Sequence, residues 1–81
     1  PNPVPSGYSG TIGIRGLTEN ADIRITDISG QLVYRTTANG GQAVWNGRDY
    51  TGKRAQSGVY LIFATNSDGT ETNTGKLVFM E

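Results

Sequence analysis

The sequence predicts a small all-β sandwich, and three observations lead to that prediction. Glycine accounts for 12 of the 81 residues, and the apolar runs are short and rich in Ile, Val and Tyr. Turn-forming residues recur about every 8–12 residues, which is the spacing of short strands in sandwiches and barrels. No stretch of helical length keeps apolar residues at the 3.6-residue period, so we expect no substantial helix.

Seven segments have the composition of strands. In the first three, apolar and polar side chains alternate, which predicts one buried and one solvated face. The fifth is apolar on both faces, as expected of a central strand. The last two form one strand if the chain only bends at Gly75. The predicted strands are 11–15, 21–26, 31–36, 42–45, 59–65, 70–74 and 75–80.

Three connections have Asp or Asn first and Gly fourth, namely 27–30, 49–52 and 66–69. An Asx side chain accepts from a backbone N–H two residues on, and Gly tolerates positive φ, so the spacing predicts tight turns. The predicted turn residues are Asp27, Gly30, Asp49, Gly52, Asp68 and Gly69. The segment between Trp45 and Gly58 is the longest irregular one, long enough to cross between two sheets.

Composition excludes several classes of function. Seven acidic and seven basic residues cancel, which is not the charge footprint of a nucleic-acid binder. There is no Cys and no His, so thiolate chemistry and the usual proton carrier near neutral pH are missing. No apolar run is long enough to span a membrane. We therefore expect no enzyme activity, no catalytic residue and no cofactor.

The turn aspartates have an alternative role as calcium ligands, because Ca²⁺ takes several oxygens from one loop. Each Asp stands in its own turn, and turn formation explains them, so no metal site is predicted. Asn46, Asp49 and Thr51 form the one group worth testing for a metal.

Two aromatic residues are candidates for exposure. Trp45 stands between Val44 and Asn46, and is either a stacking platform for sugar or an anchor in the core or at its rim. Tyr50 lies in the long irregular segment and is the tyrosine most expected to be exposed.

The chain begins with a Pro-rich lead-in over 1–10, which reads as a linker, so we expect one domain over 11–81 from the C-terminal part of a larger protein. It ends in an apolar run over 77–80 that has no polar face. This run is core if its strand is central, and an exposed backbone template for partner pairing if the strand lies at an edge.

The order of these features resembles the C-terminal domain of type IX (Por) secretion system proteins of Bacteroidota, and the related FlgD-like immunoglobulin domain. The resemblance covers essentially the whole chain. Its motifs are Pro1-Asn2-Pro3-Val4, Asp27-x-x-Gly30 with Leu32-Val33, Val44-Trp45-Asn46-Gly47-x-Asp49-x-x-Gly52, Ser57-Gly58-Val59-Tyr60-Leu61 and Lys76-Leu77-Val78.

The resemblance implies an immunoglobulin-like Greek-key sandwich of about seven strands that acts as a sorting or docking domain. Its partners would be outer-membrane secretion or attachment proteins and its own upstream passenger domains. It would pass through the periplasm and reach the outer membrane, the cell surface or the medium. Cargo signals of this family usually end in a basic residue, whereas this chain ends in Met80-Glu81. The Trp-Asn-Gly-x-Asp version looks closer to the retained, uncleaved type.

Recognition is expected to rest on the end of the chain. The predicted contact residues are Lys76, Leu77, Val78, Phe79, Met80 and Glu81. The alternatives are a carbohydrate-binding module or a purely structural module of a surface protein.

Overall fold

The computed structural model describes residues 3–5 and 10–80. These residues form six β-strands and no helix. The strands are β1 (Ile12–Ile14), β2 (Asp22–Asp27), β3 (Leu32–Thr37), β4 (Ala43–Trp45), β5 (Gly58–Thr65) and β6 (Thr72–Phe79). The predicted all-β sandwich is confirmed. The strand count is six because the two segments predicted at the end of the chain run through Gly75 as one strand.

The strands form two sheets. A four-stranded sheet has the order β3-β2-β5-β6, and a two-stranded sheet pairs β1 with β4, all antiparallel. The chain passes from the small sheet to the large one between β4 and β5, which is the crossing predicted for the long irregular segment. β5 lies between β2 and β6, as its two apolar faces predict, and β6 lies at the edge.

Alternation along the strands creates the core between the sheets. Ile23 and Ile25 of β2 are fully buried, while Arg24 between them is exposed. Tyr60 and Ala64 of β5 are buried on the same inward face. The buried apolar residues are Val4, Ile12, Ala21, Ile23, Ile25, Ala38, Ala43, Trp45, Ala55, Tyr60, Ala64, Leu77 and Phe79.

The core reaches into the segment expected to be a linker. Val4 is fully buried and forms a parallel bridge with Phe79, so this residue of the 1–10 lead-in belongs to the folded unit. Among residues 3–5 and 10–80, no helix has the length and apolar character of a membrane span.

Candidate docking site

The end of β6 divides the predicted contact residues into two groups. Leu77 and Phe79 are 3% and 2% exposed and belong to the core. Lys76, Val78 and Met80 alternate with them and are exposed. Glu81 lies outside the described residues. In the folded state the core therefore covers Leu77 and Phe79, and only the second group of the predicted contact residues lies at the surface.

Phe79 anchors this end of the strand in an aromatic cluster. Its ring centroid lies 5.2 Å from that of Trp45 and 5.3 Å from that of Tyr60. Tyr60 packs edge-on against Trp45 and Tyr34 stacks on Trp45, both with ring centroids 6.1 Å from that of Trp45. Such tilted and edge-to-face pairs stabilise a core beyond the area that they bury. The position of the strand end is therefore fixed by the centre of the domain.

Residues 3–5, here called the N-terminal clasp, hold the same strand end from its open side. The Val4 N–H donates to the Val78 carbonyl at 2.6 Å, and the Met80 N–H donates to the Val4 carbonyl at 2.8 Å. Pro3 and Pro5 have no N–H, so the clasp presents few donors to a further strand. The final residues of the chain are thus flanked by β5 and by the clasp, although β6 itself is an edge strand.

Arg54 ties the clasp to the aromatic cluster. Its Nη2 donates to the Pro5 carbonyl at 3.2 Å, and its guanidinium carbon lies 5.2 Å from the centroid of the Phe79 ring. A guanidinium over an aromatic face contributes about 0.5–1 kcal/mol at an exposed site. The long segment between β4 and β5 therefore helps to hold the C-terminal strand.

The two candidate exposed aromatic residues differ. Trp45 is 0% exposed, and its Nε1–H donates to the Arg48 carbonyl at 2.8 Å, so the possibility of an exposed Trp45 platform is overturned. Its ring fills the centre between the sheets, where the burial of a large apolar surface is most favourable. Tyr50 is 74% exposed, in keeping with its place in the long segment.

The turns at 27–31 and 49–53, here called the twin turns, have the same hydrogen-bond pattern. Oδ1 of Asp27 accepts from the N–H and the hydroxyl of Ser29 and from the Gln31 N–H. Oδ1 of Asp49 accepts from the corresponding groups of Thr51 and Lys53. In both turns the fourth-position Gly N–H also donates to the Asp carbonyl, at 3.1 Å and 3.0 Å.

The third turn uses its residues differently. The Asn66 side chain accepts from the Glu71 N–H, while Asp68 accepts from the N–H and hydroxyl of Thr70. The bonds from the Ser29, Thr51 and Thr70 hydroxyls are the main causes that lower the pKa values of Asp27, Asp49 and Asp68, respectively. All three are therefore ionised at neutral pH and act as turn acceptors.

The side-chain oxygens of Asn46 and Asp49, two of the three residues suggested for a metal test, accept hydrogen bonds from nearby residues. Asn46 Oδ1 accepts from the Arg48 N–H at 3.0 Å, and Asp49 Oδ1 has the three donors of its turn. In the described part of the chain, no three His, Cys, Asp or Glu side chains are grouped as metal ligands.

Comparison with known proteins assigns the chain to a family. The family model described as the FlgD Ig-like domain matches residues 6–76. The chain belongs to the FlgD Ig-like domain family. The match ends at Lys76, just before the strand end that packs into the core.

A solved structure gives a second match. The chain is similar to part of PorZ, an essential bacterial surface component of the type-IX secretion system of Porphyromonas gingivalis, with 28% identity and a TM-score of 0.89. The match covers 100% of this FlgD Ig-like domain but only 11% of the PorZ chain. No curated protein matched significantly.

Sequence reasoning missed two features of the site. Val4 lies in the Pro-rich segment that the sequence predicts as a linker, although a single apolar residue between prolines also suits the end of an edge strand. The contact of Arg54 with Phe79 depends on long-range packing that no local sequence pattern indicates.

Proposed function

We propose that this chain is a non-catalytic sorting or docking domain, recognised by type IX secretion machinery for export to, or attachment at, the bacterial cell surface. The similarity to part of PorZ over the full length of the chain supports this most directly. The absence of Cys and His from the sequence is consistent with a role that needs no reacting side chain. The resemblance to the retained type favours attachment without cleavage.

The proposed contact surface consists of Lys76, Val78 and Met80. Val78 pairs with Val59 of β5, and both are among the exposed large apolar residues. The buried neighbours Leu77 and Phe79 hold these side chains in place, and the clasp fixes their backbone. A surface whose backbone is already held in place loses little conformational entropy when a partner binds.

A reporter assay tests the sorting role. The chain is fused to the end of a periplasm-exported fluorescent reporter in a host with type IX secretion and in a matched host without the translocon. We expect surface delivery in the first host only. The mass of the delivered reporter separates a retained domain from a cleaved one. A folded fusion that stays periplasmic in both hosts would contradict the proposed function.

Surface substitutions test the contact residues better than truncation does, because deleting 76–81 also removes Leu77 and Phe79 from the core. The test variant is Val78→Ser with Met80→Ser, and the matched control is Val44→Ser, which changes an exposed residue on the other sheet. Delivery should fall for the first and persist for the second. Equal delivery by both would keep the sorting role and reject this contact surface.

A further inference from the structure

The twin turns border a cleft that the sorting role does not use. It has a volume of about 240 Å³ and lies among the β2–β3 turn, the start of β3 and the segment between β4 and β5. This is smaller than the roughly 300–1,000 Å³ of pockets for drug-sized ligands, so it suits a small ligand. The charged and amide side chains along it are Asp27, Gln31, Asp49, Lys53, Arg54 and Gln56.

The charges along the cleft cancel. Asp27 and Asp49 have lowered pKa values and are ionised, and they are balanced by Lys53 and Arg54. A lining with no net charge gives no general preference for an anion or a cation. It favours a neutral ligand that carries both donors and acceptors.

The hydrogen-bonding groups suit hydroxyls in particular. The bonds of both turn carboxylates go to Oδ1, and in the described residues none goes to Oδ2 of Asp27 or Asp49. Carboxylate oxygens accept from hydroxyl groups, while the amides of Gln31 and Gln56 and the ammonium of Lys53 donate. Adjacent hydroxyls of one molecule can use acceptors and donors of this kind together.

Tyr50 adds an exposed aromatic ring at the cleft. Its N–H donates to the Val33 carbonyl at 3.1 Å, and the Asp49 turn fixes the backbone around it. The ring combines an apolar face with a polar hydroxyl. The C–H face of a pyranose ring stacks on such a surface while its hydroxyls remain available for polar partners.

We propose that this cleft binds a neutral saccharide unit, with Tyr50 as the stacking face and Asp27, Asp49 and Gln31 as the hydroxyl partners. The site lies at the turn end of the sandwich. It involves none of the proposed sorting contacts Lys76, Val78 and Met80, so the outcome of one test does not decide the other proposal.

The test is a titration of the ¹⁵N-labelled chain with the methyl glycosides of glucose, mannose and galactose, followed by amide chemical shifts. We expect at least one glycoside to shift amides along the cleft. Tyr50→Ala should weaken that binding by about tenfold or more, which corresponds to about 1.4 kcal/mol, while Tyr50→Phe should retain it. Sodium glucuronate serves as a negatively charged comparison, and its affinity should be no higher than that of the neutral glucoside.

Ile28→Ala is the matched control. Ile28 occupies the equivalent position of the other twin turn and is 71% exposed, but it does not line the cleft. This variant should bind like the parent chain. Absence of shifts with all three glycosides would overturn the proposal, and so would shifts that Tyr50→Ala leaves unchanged. The amide spectrum of each variant checks its fold.

Discussion

The aromatic centre and the twin turns are stabilised by different forces. Val4, Trp45 and Phe79 are almost fully buried, and apolar contact holds them. The turns at 27–31 and 49–53 lie at the surface with their Asp residues partly buried, and each depends on one carboxylate oxygen that accepts three hydrogen bonds. The ring contacts of the centre involve no carboxylate, whereas the turns depend on the ionisation of Asp27 and Asp49.

This difference predicts separate signatures for variants in the two regions. Loss of buried apolar volume lowers the free energy of unfolding by several kcal/mol, because both transfer and cavity terms contribute. Exposed turns contribute less per residue, since water replaces their hydrogen bonds when the chain unfolds. The variants below test this separation from the largest expected effect to the smallest.

Phe79→Ala should cause the largest loss, about 3–5 kcal/mol of unfolding free energy. The ring contacts Trp45 and Tyr60, and the Arg54 guanidinium lies over it. Chemical denaturation followed by Trp fluorescence measures the loss. If this variant does not fold, Phe79→Leu gives a smaller loss that remains measurable. A change as small as that of Val78→Ala would contradict the anchoring role of the ring.

Val4→Ala should cost about 1.5–3 kcal/mol, because it removes two buried methyl groups and leaves a small cavity. The control Val44→Ala makes the same chemical change at a residue that is 54% exposed, and should stay within about 0.5 kcal/mol of the parent. Equal effects of the two variants would mean that the clasp does not belong to the cooperative fold.

Gly30→Ala and Gly52→Ala should each cost about 1–2 kcal/mol, because a Cβ is strained at positive φ. The φ values are 92° and 90°, and neither added Cβ would meet a neighbour within 4 Å, so backbone strain alone sets the cost. Gly13→Ala is the control, since Gly13 has the same open space without positive φ. A clear difference between the two turn variants would show that the twin turns are not equivalent.

Much of this fold follows from local sequence patterns. The Asp-x-x-Gly spacing predicts the 27–30 and 49–52 turns, and alternation in β2 predicts which of its side chains enter the core. Trp45 has no such local signal, because its neighbours Val44 and Asn46 leave open both an exposed stacking platform and an anchor in the core or at its rim. Its burial depends on Phe79, which is distant in sequence, as does the position of Arg54. The cleft likewise requires two turns that only the folded chain brings together.

The smallest effect, and the one that separates the two regions most clearly, is the pH dependence of the turns. The Ser29 hydroxyl and the Gln31 amide lower the pKa of Asp27 below its ordinary value, and the Thr51 hydroxyl does so for Asp49. A group with a lowered folded-state pKa contributes stability that is present above its unfolded pKa of about 3.9. That contribution is lost as the pH falls through the folded-state pKa.

The free energy of unfolding of the parent chain should therefore fall below about pH 4. In Asp27→Asn the unfolding free energy should decrease less over this pH range, because the amide oxygen accepts hydrogen bonds without titrating there. Denaturation curves at a series of pH values from neutral to strongly acidic measure both slopes. Phe79→Leu should shift its curve by the same amount at every pH, since no charge changes. If the unfolding free energy of Asp27→Asn decreased as steeply with falling pH as that of the parent chain, the ionised Asp27 carboxylate would not stabilise its turn. The predicted difference between this turn and the aromatic centre would then be wrong.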